Sequence, residues 1–464
     1  VGEGGLSGRS RRIETDVEEV ATVAALTHDA EGVVREGKAA FVAGALPGER
    51  IRFRRTRRHR QHDEAELLEV LEPAASRVVP RCAHFGVCGG CALQHLSADA
   101  QLEVKQTELR DNLERVGKVT PREWLEPLRG PVWNYRRRAR LGAKFVIKKD
   151  RVVVGFRERL APYVADVQRC EVLVEPVGAL IAPLAAMLNG LSIRHRIPQI
   201  EAAVADNVVA LVLRVLEAPS AEDRVRLREF AAAHSVRFYL QTGGLDTVSP
   251  LDSETGQPLE ALRYGLPQFN LQLEFTPTDF VQINAQINQA LVARAVELLQ
   301  LTPSSSVLDL YCGIGNFTLA LARNASRAVG VEGDKGLVER ARHNAGLNGI
   351  SNAQFHVADL GQVDRRQALE PTLLPWLRDS YTHVLLDPPR AGASEVLASI
   401  SRLSPQRVLY ISCHPGSLAR DLGSLVHEHG MSLVAAGVLD MFPHTTHVES
   451  MAILEPARRK GRTG

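Results

Sequence analysis

The 464-residue sequence has no run of eighteen apolar residues, and its first thirty positions lack an apolar core followed by a small-residue cleavage site. Those absences argue against a membrane-spanning helix and a secretory leader, so the expected location is the cytoplasm, with no membrane partner. Cysteine is scarce, at six residues. In a reducing compartment so few thiols serve as ligands or nucleophiles rather than as disulfides. An excess of one charge is also missing: 56 Lys and Arg face 54 Asp and Glu, for a net charge of +2. The total therefore points to no partner, and any recognition surface must be local.

The chain is too long for one hydrophobic core, and two or three domains are expected. Residues 1–16, opening "VGEGGLSGRSRR", show no apolar period and are expected to form a disordered tail. Short apolar stretches separated by "DAEG" and "LPGE" across residues 17–74 predict an OB-like β-barrel, a frequent platform for nucleic acid. Within it "ERIRFRRTRRHR" (49–60) carries seven arginines and reads as a phosphate-binding stripe. Ser97 then caps a helix that places Leu102, Leu109 and Leu113 near one face and stops at Gly117. The surrounding region, 75–96 and 128–274, reads as a central α/β domain with hairpins at Lys149–Asp150 and Asp206–Asn207. The helical segment 97–127 is expected to pack on the C-terminal domain. From 275 to 455 buried strands alternate with helices, which predicts a doubly wound Rossmann-like sheet with its ligand at the carboxyl ends of the strands. Residues 456–464 form a basic tail.

Five of those strand ends carry chemistry. "VLDLYCGIGNF" (307–317) runs from a strand through Gly313 and Gly315 into a helix, and Glu332 ends the next strand, placed to accept both hydroxyls of a ribose. Thr318 stands where a dinucleotide fingerprint has its third glycine, which favours S-adenosylmethionine over NAD. Asp359 ends a third strand near the expected adenine. Asp387 in "LLDPPR" and Cys413 in "YISCHPGS" tip two more strands, with a helix starting behind Cys413 that is expected to lower its pKa. Glu449 precedes a strongly apolar strand. A thiolate, a carboxylate and a sulfonium methyl donor on one rim suit C5 methylation of a pyrimidine. Thiolate addition at C6 makes C5 nucleophilic, and a base must later remove the C5 proton so that the thiolate can leave. A base held in an RNA stem must first be extruded; Phe280 is expected to line its pocket. The opposing reading, an RNA-binding module with a catalytically silent sheet, conflicts with the intact thiol, carboxylate and glycine turn.

Three further cysteines, Cys82, Cys88 and Cys91, share the ten residues "CAHFGVCGGC". Their C-x5-C-x2-C spacing differs from the C-x3-C-x2-C of radical enzymes. It leaves open a zinc site completed by His84 or His95, and a four-cysteine site completed by Cys170.

Taken together, "FTPTDFVQIN", "LDLYCGIGNFTL", "LLDPPRAGA", "SCHPGSLARD" and "DMFPHTTHVESM" resemble the bacterial RNA uracil-C5 methyltransferases, and "CAHFGVCGGC" narrows the resemblance to their iron–sulfur branch, over residues 17 to 455. The resemblance implies an α/β multidomain protein. Its N-terminal barrel would be a TRAM domain, its central domain would hold a [4Fe-4S] cluster on Cys82, Cys88, Cys91 and Cys170, and its C-terminal sheet would bind S-adenosylmethionine. It implies Cys413 as nucleophile and Glu449 as base, with Gln282, Tyr311, Asn316, Glu332, Asp359 and Asp387 contacting the cofactor. The implied substrate is a flipped uridine of 23S rRNA, of the 1939 type, with another uridine or two sites as alternatives. A monomer with no obligate protein partner is expected. The tRNA enzymes of the family are disfavoured by the barrel and the cysteines. Tyr311, where Phe is expected, Asp359, where Asn also occurs, and His414, where Asn is usual, depart from the family pattern.

Overall fold

The computed structural model describes residues 11–12, 17–251, 259–363 and 374–457. Chain contacts divide it into two compact units. One comprises Val1–Glu103, Arg157–Tyr163 and Pro443–Thr446; the other comprises Val104–Phe156, Val164–Phe442 and His447–Gly464.

In the first unit β1 (Glu18–Leu26), β2 (Glu31–Val34), β3 (Ala40–Ala43), β4 (Arg50–Arg58) and β5 (Asp63–Glu72) close into a five-stranded barrel, β5 pairing with both β3 and β4. Alternation explains the closure: Val23, Val34, Val42, Ile51 and Phe53 fill the interior, while the arginines between them face outward. The arginine stripe differs from its reading as a phosphate footprint. In the antiparallel register Arg50, Arg52 and Arg54 lie opposite Glu72, Glu69 and Glu66 and form ion pairs of 3.4, 2.8 and 2.8 Å. Arg57 pairs with Glu64, and Arg55 lies between Glu19 and Asp63. The acidic strand "DEAELLEVLE" thus neutralises much of the basic one. Of the expected tail, Arg11–Arg12 pair as a short strand with Arg57 and Arg58; its other residues, and 458–464 of the basic tail, lie outside the described residues.

Helix α1 (Ala98–Asn112) begins at Ser97, whose hydroxyl accepts the Ala100 N–H, and buries Leu102 and Leu109. It continues as a wider turn over Leu113–Gly117 and stops at Lys118, in the left-handed conformation at φ 51°. Gly117 is required by proximity instead: a Cβ there would strike the backbone carbonyl of Ala419.

The second unit contains two larger sheets. Strands β6 (Glu123–Trp124), β7 (Arg138–Val146), β8 (Arg151–Gly155), β9 (Gln199–Val204), β10 (Val209–Arg214), β11 (Val236–Gln241) and β12 (Ser249–Pro250) are joined by α2 (Val177–Asn189) and α3 (Ala221–His234). All but β6 form a six-stranded sheet in the order β12-β11-β10-β9-β7-β8, with the expected hairpins at Lys149–Asp150 and Asp206–Asn207. A hairpin of β13 (Leu262–Leu266) and β14 (Leu271–Phe275) precedes α4 (Ala285–Leu299). The doubly wound sheet follows, from β15 (Ser306–Leu310), α5 (Thr318–Ala322), β16 (Arg327–Glu332), α6 (Lys335–Leu347), β17 (Ala353–Val357), β18 (His383–Leu386), α7 (Leu397–Leu403), β19 (Arg407–Ser412) and α8 (Pro415–His427) to β20 (Met431–Leu439) and β21 (Glu449–Pro456). Its order is β17-β16-β15-β18-β19-β21-β20-β6. The first five strands run parallel, and the four inner ones, β16, β15, β18 and β19, are buried and largely apolar on both faces, whereas the edge strand β17 buries only Phe355. Strand β21 enters antiparallel beside β19, which brings its first residue, Glu449, to the rim where the parallel strands end. Among the described residues no helix is long and apolar enough to cross a membrane.

Candidate active site

The strand ends surround a cavity of about 610 Å³. Gln282, Tyr311, Asn316, Glu332, Asp387, Cys413 and Glu449 all line it, as does the exposed ring of Phe280. Asp359 does not line it. Its carboxylate accepts the Gly361 N–H at 3.0 Å and the Gln362 amide at 2.8 Å, in an exposed turn after β17.

The turn after β15 places Tyr311, Gly313 and Gly315 at φ 67°, 54° and 91°. Such values suit glycine, and a tyrosine holding one is a local strain of the kind found at binding loops. The N–H groups of Tyr311 and Cys312 both donate to the Val331 carbonyl, which fixes the turn to β16. Glu332 accepts from the Gly313 N–H at 3.2 Å and from those of Gly333 and Asp334 at 2.6 and 3.1 Å. Asn316 exchanges two amide hydrogen bonds with Asn288 (2.9 and 3.0 Å) and accepts from the Tyr264 hydroxyl at 3.0 Å. Beneath the turn, the buried Asp309 accepts from the Thr318 hydroxyl at 2.5 Å. Burial, with Asp387 and Glu332 nearby, pushes Asp309 up to about 7.

Around the same cavity Glu449, Asp387, Cys413 and Arg390 interact electrostatically. Glu449 is 3% exposed. Burial first, then the neighbouring Asp387 carboxylate, push it up to about 8, against the pull of Arg390. Desolvation alone lifts Asp387 to about 7. The Cys413 thiol is also raised, by burial and by Glu449 and Asp387, with Arg390 opposing. The expectation of a thiol lowered by its helix dipole is therefore reversed, since desolvation and two carboxylates outweigh it. His414 has a structural role: it is the N-cap of α8, its Nδ1 accepting the Ser417 N–H at 3.0 Å as a capping Asn oxygen would.

Four contributors were absent from the sequence reading as site residues. Arg390 donates to His447 Nδ1 at 3.1 Å, and the His447 ring lies 5.4 Å from that of Phe442; all three line the cavity. Asn288 supports Asn316 from α4. The "DPPR" and "MFPHTTH" motifs held three of these residues. No spacing rule marks a side chain that meets the others only across two loops.

The cysteines of the expected cluster fall in different units: Cys82, Cys88 and Cys91 in the first, Cys170 in the second. No cysteine is in a disulfide. The 82–91 segment turns tightly, with the Cys88 N–H on the His84 carbonyl at 2.9 Å and the Gly90 N–H directed at Cys88 Sγ at 3.4 Å. Among the described residues no group of three or more His, Cys, Asp or Glu is gathered to hold a metal ion.

Residues 266–457 match the family model described as tRNA (Uracil-5-)-methyltransferase. The chain is 49% identical over 435 residues to the 23S rRNA (uracil(1939)-C(5))-methyltransferase RlmD of Xanthomonas axonopodis pv. citri, covering 93% of this chain and 95% of the relative. It is 47% identical to the RlmD of Alkalilimnicola ehrlichii, over 97% and 99% of the two chains. Among solved structures it superposes on the tRNA (uracil-54, C5)-methyltransferase of Pyrococcus abyssi in complex with S-adenosyl-L-homocysteine. The TM-score is 0.70 at 22% identity, over 94% of this chain and all of that one. At that identity the likeness shows the shared fold, while the relatives that resemble this chain over nearly its whole length are named as 23S rRNA enzymes, in line with the expectation that disfavoured tRNA.

Proposed function

The chain belongs to the RlmD family of 23S rRNA (uracil-C5)-methyltransferases, and from that premise we propose that it transfers a methyl group from S-adenosylmethionine to C5 of uridine 1939 in 23S rRNA. The observation that carries the proposal is the convergence of Cys413, Glu449 and Asp387 on one cavity that Gly313, Ile314 and Glu332 also line.

The chemistry follows from those groups. The Cys413 thiolate adds to C6 of the uracil, the C5=C6 electrons shift onto C5 and O4, and C5 attacks the sulfonium methyl, releasing S-adenosylhomocysteine. Glu449 then takes the C5 proton. The electrons of the C5–H bond restore C5=C6, and the thiolate leaves. A carboxyl near 8 is a stronger base than an ordinary one near 4.5, and a buried site keeps water from quenching the intermediate. Gln282, Tyr311, Asn316, Glu332 and Asp387 are the proposed cofactor contacts in the cavity, Glu332 taking the ribose hydroxyls, and Asp359, in the turn outside that lining, is the proposed adenine contact. Phe280, exposed at the cavity, is the proposed stacking surface for a uridine flipped out of its loop.

The barrel is the proposed TRAM module for rRNA, and the enzyme acts as a monomer. Cys82, Cys88, Cys91 and Cys170 are the proposed ligands of a [4Fe-4S] cluster. Four reduced thiols are the right donor set, and the Gly90 N–H on Cys88 Sγ is the kind of bond a ligating thiolate accepts. Such a cluster would tie distant segments together without taking part in methyl transfer. To test the proposed activity, unmodified 23S rRNA is incubated with the enzyme and labelled S-adenosylmethionine. Label in 5-methyluridine that disappears with Cys413→Ala supports the reading; label in another nucleoside refutes it.

A further inference from the structure

Lys105 is a fully buried lysine on α1, 1% exposed, whose charge meets two acceptors: Asp440 Oδ1 at 2.8 Å and the Phe442 carbonyl at 2.9 Å. One turn earlier on the same helix, Gln101 accepts the His444 N–H at 2.8 Å, while its amide nitrogen donates to the carbonyls of Leu93 and Leu96. Two residues at i and i+4 therefore bond the chain at 440, 442 and 444.

That segment is the connection between β20 and β21, closed by the pair Leu439–Glu449. It carries Phe442 and His447 into the cavity wall and delivers Glu449 as the first residue of β21. Cys413 has separate support, from β19 behind it and α8 in front. A buried ammonium carries a desolvation penalty, and burial does lower the Lys105 pKa against the pull of Asp440. An apolar residue would pack there without that penalty, so the polar anchor needs a reason beyond filling space.

Building on the uracil-C5 reading, we propose that Lys105 is a positioning residue for the proton-abstraction step: by holding Asp440 and the Phe442 carbonyl, it sets where the Glu449 carboxylate stands. Thiolate addition and methyl transfer depend on Cys413 and the cofactor turn, and do not pass through this anchor. Removal of the C5 proton does. With Glu449 displaced, the methylated uracil keeps its C5 hydrogen and its C6–S bond, and the RNA stays covalently attached to Cys413. A displacement on the order of 1 Å is enough to slow such a step by about a hundredfold.

The test uses full-length protein, an unmodified 23S rRNA transcript and S-adenosylmethionine labelled in the methyl group. Two variants are compared with wild type: Lys105→Met, and the charge-balanced Lys105→Met/Asp440→Asn, which leaves no lone buried carboxylate if the single variant fails to fold. The expected result is a kcat lowered at least about tenfold with KM for S-adenosylmethionine within about twofold, and methyl-labelled RNA that migrates with the protein on a denaturing gel. Unchanged turnover overturns the proposal, and so does slowed turnover without the accumulated adduct. The wild-type lane separates the two readings: if it yields no 5-methyluridine, the proposed function fails; if it does while the variants match it, only the role of Lys105 fails.

Discussion

Replacing Glu449 with glutamine should stabilise the protein in a pH-dependent way while abolishing turnover. Burial and Asp387 hold the carboxyl near 8 in the folded chain, against an ordinary value of 4.5. Between those values the folded state keeps a proton that the unfolded state has lost, so stability falls as pH rises through this window. Below pH 4.5 the effect vanishes; above pH 8 it reaches an upper bound of about 5 kcal/mol, at about 1.4 kcal/mol per pH unit. Glutamine keeps the shape and does not titrate. The variant's advantage should therefore grow by about 2 kcal/mol between pH 6 and pH 8. Urea unfolding followed by tryptophan fluorescence reads this directly, because Trp124, Trp133 and Trp376 all lie in the unit that contains Glu449. An advantage that stays constant across that range would refute the burial argument, whatever the variant does to catalysis.

Three further outcomes follow from the same geometry. Because burial and two carboxylates raise the Cys413 thiol, the cationic S-adenosylmethionine should speed its alkylation by iodoacetamide more than neutral S-adenosylhomocysteine at equal saturation, by about tenfold at pH 7.5; equal rates, read by peptide mass spectrometry, would contradict this. His414→Asn should keep full stability and activity, whereas His414→Ala should lose about 1 kcal/mol through the missing cap of α8, measured by the same unfolding assay. Anaerobically prepared protein should contain about four irons per chain and absorb in the visible, and Cys88→Ser should lose most of that iron; a colourless, zinc-containing protein would contradict the cluster.

The methyltransferase sheet was legible because each buried strand is a short apolar run ended by a chemically distinctive turn, as at Gly313, Pro388 and Pro415. Most candidate residues sit at such strand ends, so the sheet collects them without any knowledge of packing. Properties that arise between distant segments were not legible. The arginines of β4 read as an exposed phosphate stripe because their partners come from the other barrel strands, β5 and β1. The direction of the Cys413 shift depends first on burial and then on Glu449 and Asp387, each contributed by another part of the sheet. Lys105 and Asp440 are 335 positions apart, and a lysine on an amphipathic helix carries no mark of burial. Asp359 shows the opposite difficulty: its place at a strand end was readable, while its engagement with the Gly361 backbone was not.

The central claim is a covalent methylation at one uridine. Its most direct test maps 5-methyluridine by mass spectrometry in unmodified 23S rRNA after incubation with S-adenosylmethionine and either wild-type protein or Cys413→Ala. One new methyl group, at uridine 1939, is expected with wild type and none with the variant. Methylation that survives the loss of Cys413, or that appears at no uridine, would contradict the claim.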